Sequence, residues 1–226
     1  MNHREFFLPE LELATGQVRD ALKAILHTVL FIRSPGPISC IDCDCESFHL
    51  TYSRIANSDS KKKPGNPEKK DFLDKKVDGS IEEFLQRLTT IGPELLSGFL
   101  TLSFFERRAS KQLFGMLSHE EKVVFEQWHI HVVVNNTPSP ISEDNSAKLE
   151  RQRIQDTAEA MVKSTMMKIF QYASGVDDSA DPMAPGNLDH IPPTMYEFEI
   201  KTSKNVDDRE NLVSQFKNMP ALLNLE

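Results

Sequence analysis

The stretch Val123–Val134, VVFEQWHIHVVV, decides the fold. Its valines, isoleucine and aromatics fit a pleated, half-buried chain, and Val124, Trp128, Ile130, Val132 and Val134 share one face at a period of two. Glu126 interrupts that face, while His129 and His131 lie on the other. Asn135-Asn136 and Pro138-Ser139-Pro140 end the strand. Upstream, Phe99–Phe105 reads as a second strand with Leu100, Leu102 and Phe104 facing one way, closed by Arg107-Arg108. Two long apolar strands in succession form the centre of a sheet.

Outward from this pair the chain alternates strand and helix. Phe6–Leu13 reads as an edge strand, because Pro9 removes a ladder donor. Val18, Leu22, Ile25 and Val29 then recur on one helical face, widened by Ala21, Leu26 and Leu30. This helix must stop before Pro35-Gly36-Pro37. Cys45–Ile55 alternates as a strand, with Phe48, Leu50 and Tyr52 inward. Residues 57–76 hold seven lysines against four acids, a solvated loop or insertion. Ser80, with Glu83 at capping-box spacing, opens a short helix carrying Ile81, Phe84, Leu85 and Leu88. The longest helix is Ala147–Tyr172, with Ile154, Ala158, Met161, Thr165, Ile169 and Tyr172 on one face. Met195–Thr202 is the last strand, and residues 207–218 form a short terminal helix. Strands that follow one another directly make the class α+β.

Composition bounds the function. The chain has 226 residues, a formal net charge of −8 and a pI near 5.4, which argues against a general phosphate-backbone binder. No apolar run reaches the ~20 residues of a membrane-spanning helix, so no stable membrane insertion is expected. Three cysteines and no signal-peptide pattern point to a reducing, intracellular setting. The sequence has no nucleotide-binding glycine loop, no G-x-S-x-G and no H-E-x-x-H, so no catalytic residue and no cofactor is assigned.

Two clusters invite a metal reading. Cys40, Cys43, Cys45 and His49 spread along a strand instead of closing round an ion. His129 and His131 make an H-x-H pair that would need a third ligand, and a small metalloenzyme built on them is the least favoured reading. Surface apolar residues say more. The connection between the central strands carries Leu113, Phe114, Met116 and Leu117, which either fold back on the sheet or form a finger for another protein. Met166, Met167 and Phe170 make the end of the long helix apolar around most of its circumference, from deeper burial or from a partner face.

GQVRDALKAILHTVLFIRSPG (Gly16–Gly36) resembles the first helix of the autophagy-related protein 101 family, and IDCDCESFHLTYSRI (Ile41–Ile55) is similar to its next strand. Trp128 with its valine-rich strand, helix 147–172 and strand 195–202 follow in the family's order. The resemblance implies a HORMA fold over residues 1–205, mainly antiparallel sheet backed by three helices, with a tail at 206–226. It implies a non-enzymatic, cytoplasmic protein of the preautophagosomal structure. The implied partner is the HORMA domain of autophagy-related protein 13, within the autophagy-initiation kinase complex. Pairing would use the third helix, here Ile154, Met161, Met167 and Phe170. Some members carry a Trp-Phe finger that recruits later factors. This chain departs from them, since its only Trp is Trp128, and Leu113, Phe114 and Met116 occupy the finger region. A further HORMA role, trapping a peptide under the segment after Gly175, is the alternative.

Overall fold

A computed structural model describes residues 3–36, 38–56, 72–111, 118–136, 145–175, 191–193 and 195–203. Among these residues three α-helices pack on a mixed sheet, an α+β fold consistent with a HORMA-like domain. Strand β7 (Ser118–Asn135) is its spine. It pairs antiparallel with β6 (Leu95–Lys111), and β6 pairs antiparallel with β5 (Thr89–Gly92) and β8 (Glu197–Ser203). On the opposite edge, β1 (Arg4–Phe7) and β2 (Leu11–Ala14) both run parallel to β7. The single edge strand expected at Phe6–Leu13 is therefore two. The break falls at Pro9, whose missing N–H cannot continue a ladder.

Helix α1 (Val18–Ile32) follows a 3-10 turn at Thr15–Gln17 and is the core strut. Ala21, Leu22, Ile25, Leu26 and Val29 are buried against Trp128, Ile130, Val132 and Leu100, Leu102 in one apolar cluster. Residues of α1 are buried on every side because a hairpin covers its outer flank. That hairpin corrects a sequence expectation. Cys45–Ile55 is not one strand: β3 (Ser39–Asp44) and β4 (Thr51–Ala56) pair antiparallel, and 45–50 turn between them. The turn is closed by Cys45 N–H donating to Leu50 O at 3.0 Å, which leaves Cys45 and Phe48 buried.

Helix α2 (Phe72–Arg87) begins well before Ser80. Leu73, Val77, Ile81 and Phe84 keep helical spacing and pack on the core, and Ser80 donates to Lys76 O at 2.9 Å from mid-helix instead of capping it. Residues 72–76 of the lysine-rich segment thus belong to the helix, and 57–71 lie outside the described residues. Gly98 of β6 lets α2 approach: a Cβ there would sit 2.8 Å from Phe84 Cε2. Helix α3 (Asn145–Ala173) completes the layer. The expected loop 175–194, the terminal helix at 207–218 and residues 112–117 with Leu113, Phe114 and Met116 lie wholly or mostly outside the described residues.

The centre of the sheet is the β6–β7 pair, as its composition requires. One detail differs. Between Phe104 and Phe105 the register shifts by one residue, so Phe125 rather than Val124 enters the core.

Candidate partner surface on the third helix

Glu126, the acid that interrupts the apolar face of β7, is fully buried and meets Arg33 at the end of α1. Arg33 Nε donates to both carboxylate oxygens, at 2.9 and 3.1 Å, and Trp128 Nε1 donates to the same carboxylate at 2.5 Å. Arg33 Nη1 also reaches Ala173 O at 3.4 Å, and the Tyr196 hydroxyl donates to Arg33 O at 2.5 Å. One ion pair thus joins the last turn of α1, the central strand, the end of α3 and the approach to β8. Phe6 lies tilted against Trp128 and stacks on Tyr172, with centroids at 4.5 and 5.2 Å.

These anchors and a second set further back fix how α3 lies. Gln17 Nε2 donates to Gln155 Oε1 at 2.7 Å, and Gln155 donates to Ser47 O in the hairpin turn. His49 N–H donates to Glu159 Oε2 at 2.9 Å. Lys163 Nζ, 2.6 Å from Glu159, with the His49 donors, pulls that carboxyl down to about 2. Buried Ala158, Val162, Thr165, Ile169 and Ala173 form the inner stripe, and Met161, Met166 and Tyr172 pack beside it.

Four large apolar side chains stand exposed on α3 among mostly polar residues. Leu149 is 73% exposed, Met167 61%, Phe170 46% and Ile154 41%. At ~100° per residue, Met167 and Leu149 share a line on the far side of the helix from the inner stripe, Phe170 flanks it, and Ile154 lies near the inner stripe. The four residues read from the sequence therefore do not make one patch. Met161 instead lines a groove of about 950 Å³ between α3 and the β1–β2 connection at Pro9–Glu10. Leu149, Arg153, Asp156, Thr157, Ala160, Ser164 and Thr165 line its helical wall. Sequence reading missed most of these, because Thr157, Ala160 and Ser164 are small or polar and give no apolar signal.

The other singled-out side chains are engaged locally. His129 Nδ1 lies 3.1 Å from Thr101 Oγ1 and its Nε2 3.3 Å from Glu5; its ring stacks on Phe7. His131 Nε2 lies 2.9 Å from Ser97 Oγ and its Nδ1 2.7 Å from Glu10; its ring stacks on Phe99. The two rings are committed to different carboxylates. Cys40 is exposed and Cys45 buried, with burial pushing the Cys45 thiol up. Among the described residues no group of three His, Cys, Asp or Glu converges on a metal position, and no helix is long and apolar enough to cross a membrane.

Known proteins share this chain's pattern. The profile of the family described as Autophagy-related protein 101 matches residues 10–195. Autophagy-related protein 101 of Arabidopsis thaliana is 27% identical over 92% of this chain and 90% of its own length. The Homo sapiens protein of that name is 24% identical over 89% of each chain, and that of Xenopus laevis 23% over 91% and 92%. The stretch matched by the profile takes in α1, the hairpin, α2, the β6–β7 pair and α3, so the chain belongs to the autophagy-related protein 101 family and acts in autophagy.

Proposed function

We propose that this chain is a non-enzymatic HORMA scaffold of the autophagy-initiation kinase complex. Residues 1–205 form the domain and 206–226 a tail. It pairs with the HORMA domain of autophagy-related protein 13 and stabilises it, in the cytoplasm and at the preautophagosomal structure. Leu113, Phe114 and Met116 recruit later factors. The observation that carries the pairing is the outer surface of α3, where Leu149 and Met161 line a groove and Met167 and Phe170 stand exposed. A specific interface buries about 800 Å² per partner, and large apolar side chains at its centre supply most of its energy. A partner whose native state alone is bound gains stability in proportion to how far its concentration exceeds the dissociation constant.

The test is size exclusion and thermal melting of the autophagy-related protein 13 domain, alone and with this chain. Coelution and a rise in the partner's melting temperature are expected. Separate elution with an unchanged melting temperature would refute the pairing. Changing Leu113 and Phe114 to Ala should leave the pairing intact while removing other captured factors.

A further inference from the structure

Several hydroxyls in or just after the helices turn back onto their own backbone. Thr28 donates to Ala24 O at 2.7 Å, Thr157 to Arg153 O at 2.8 Å, and Ser174 to Phe170 O at 2.7 Å. This bond to the carbonyl four residues earlier is the local way to satisfy such a group. Thr165 departs from the pattern. It is 1% exposed, its Oγ1 has no hydrogen-bond partner, and it lines the groove beside α3. Buried polar groups in native proteins are nearly all bonded, so an orphan hydroxyl at a groove points to a partner that arrives with the occupant.

The groove also states what shape it accepts. Thr157, Ala160 and Ser164, three and four residues apart, leave a furrow of small side chains along α3. Such a furrow takes the ridge of a second helix. An extended strand fits worse, because Pro9 on the facing wall offers no N–H. Among the charged residues of the groove, Glu10 faces His131 at 2.7 Å and Arg153 pairs with Glu150 at 2.9 Å, while Asp156 is met by the neutral Gln152 amide at 2.7 Å, so a basic side chain of the occupant belongs beside Asp156. Met161, one turn before Thr165, is partly buried and lines the same wall, and its unbranched side chain adapts readily to an occupant.

We propose that Thr165 is the specificity contact of this groove. The groove receives a helix of the pairing partner that is small or apolar along its inserted ridge. An amide or hydroxyl side chain of that helix bonds Thr165 Oγ1, and a Lys or Arg sits by Asp156. This rests on the pairing reading above and adds which kind of element enters and what selects it.

Calorimetric titration of the autophagy-related protein 13 HORMA domain into the full chain and its variants tests it. Thr165→Val removes the hydroxyl and keeps the shape; it should weaken binding roughly tenfold, the scale of one hydrogen bond. Thr165→Ser should restore binding to within about threefold, and Ala160→Trp, which fills the furrow, should abolish it. Thermal melting of each free variant should match the native chain. If the native chain binds and Thr165→Val and Ala160→Trp bind equally well, this proposal falls and the pairing stands. If the native chain does not bind, both fall. A lower melting temperature of the free Thr165→Val variant makes the hydroxyl a structural group and overturns the proposal. A homodimer of the native chain that Ala160→Trp dissociates would overturn it in favour of a second copy.

Discussion

Helices α1 and α3 differ in composition, α1 mostly apolar and α3 mostly polar, and serve opposite ends. Ten of the fifteen residues of α1 are buried, against six of the twenty-nine of α3. The first helix is enclosed by sheet, hairpin and both other helices, so its apolar content is spent on the fold. The third touches the core along one stripe and keeps Leu149, Met167 and Phe170 outside it. Apolar surface that folding does not use is what association can use. The contrast separates residues that hold the domain from residues that meet something else.

The contrast can be broken first at the ion pair that ends α1. Glu126→Ala leaves the Arg33 guanidinium buried without its carboxylate, which should cost about 3–5 kcal/mol of unfolding free energy. Urea denaturation measures this, and a loss under about 1 kcal/mol would mean that the pair is not the fastening described here. Leu22→Ala, at a fully buried site on α1, should cost about 2–5 kcal/mol in the same assay.

Acid sharpens the comparison. His27 of α1 is fully buried, 3.2 Å from Asp74 Oδ1 and stacked on Tyr52, and burial lowers it from 6.5 to about 4. Between those values the unfolded chain binds a proton that the folded chain does not. Stability is therefore full above pH 6.5 and falls as pH drops towards 4, by up to roughly 3 kcal/mol from this group. His27→Phe should flatten that part of the stability profile, and an unchanged slope would clear His27 of the effect. Smallest of all, Met167→Ala on the outer line of α3 should move stability by less than about 0.5 kcal/mol while weakening partner capture. A large drop in stability would erase the distinction between the helices.

What the residues disclosed follows from how local their signals are. The stripe of α1 and the alternation of β6 and β7 are short-range periodicities, and both are present, although the strands run further than read and the bulge puts Phe125 in the place of Val124. The hairpin β3–β4 was hidden because alternation at Phe48, Leu50 and Tyr52 runs on through a turn, mimicking one strand. Ser80 and Glu83 have the spacing of a helix start, yet Leu73 and Val77 extend the same apolar phase backwards, and packing prevails over the cap. The parallel pairing of β1 and β2 with β7 joins residues more than a hundred positions apart, and no window of sequence carries it. Glu126 was visible only as an interruption, because its partner Arg33 lies at the end of another element. The groove on α3 is drawn by small residues, which hydrophobic patterning overlooks.

The β6–β7 hairpin runs on after its neighbours stop. Strand β8 accompanies β6 only as far as Phe105, and β1 meets β7 only from Glu126 onward. From there, among the described residues, β6 and β7 pair only with each other as far as Lys111 and Ser118. His131, which contacts the groove wall at Glu10, and Ser118, at the ribbon's end, are about 44 Å apart along β7 at the usual ~3.4 Å per residue. A molecule gripping that outlying tip and one seated beside α3 would have no reason to collide, so the chain could be occupied at both ends at once.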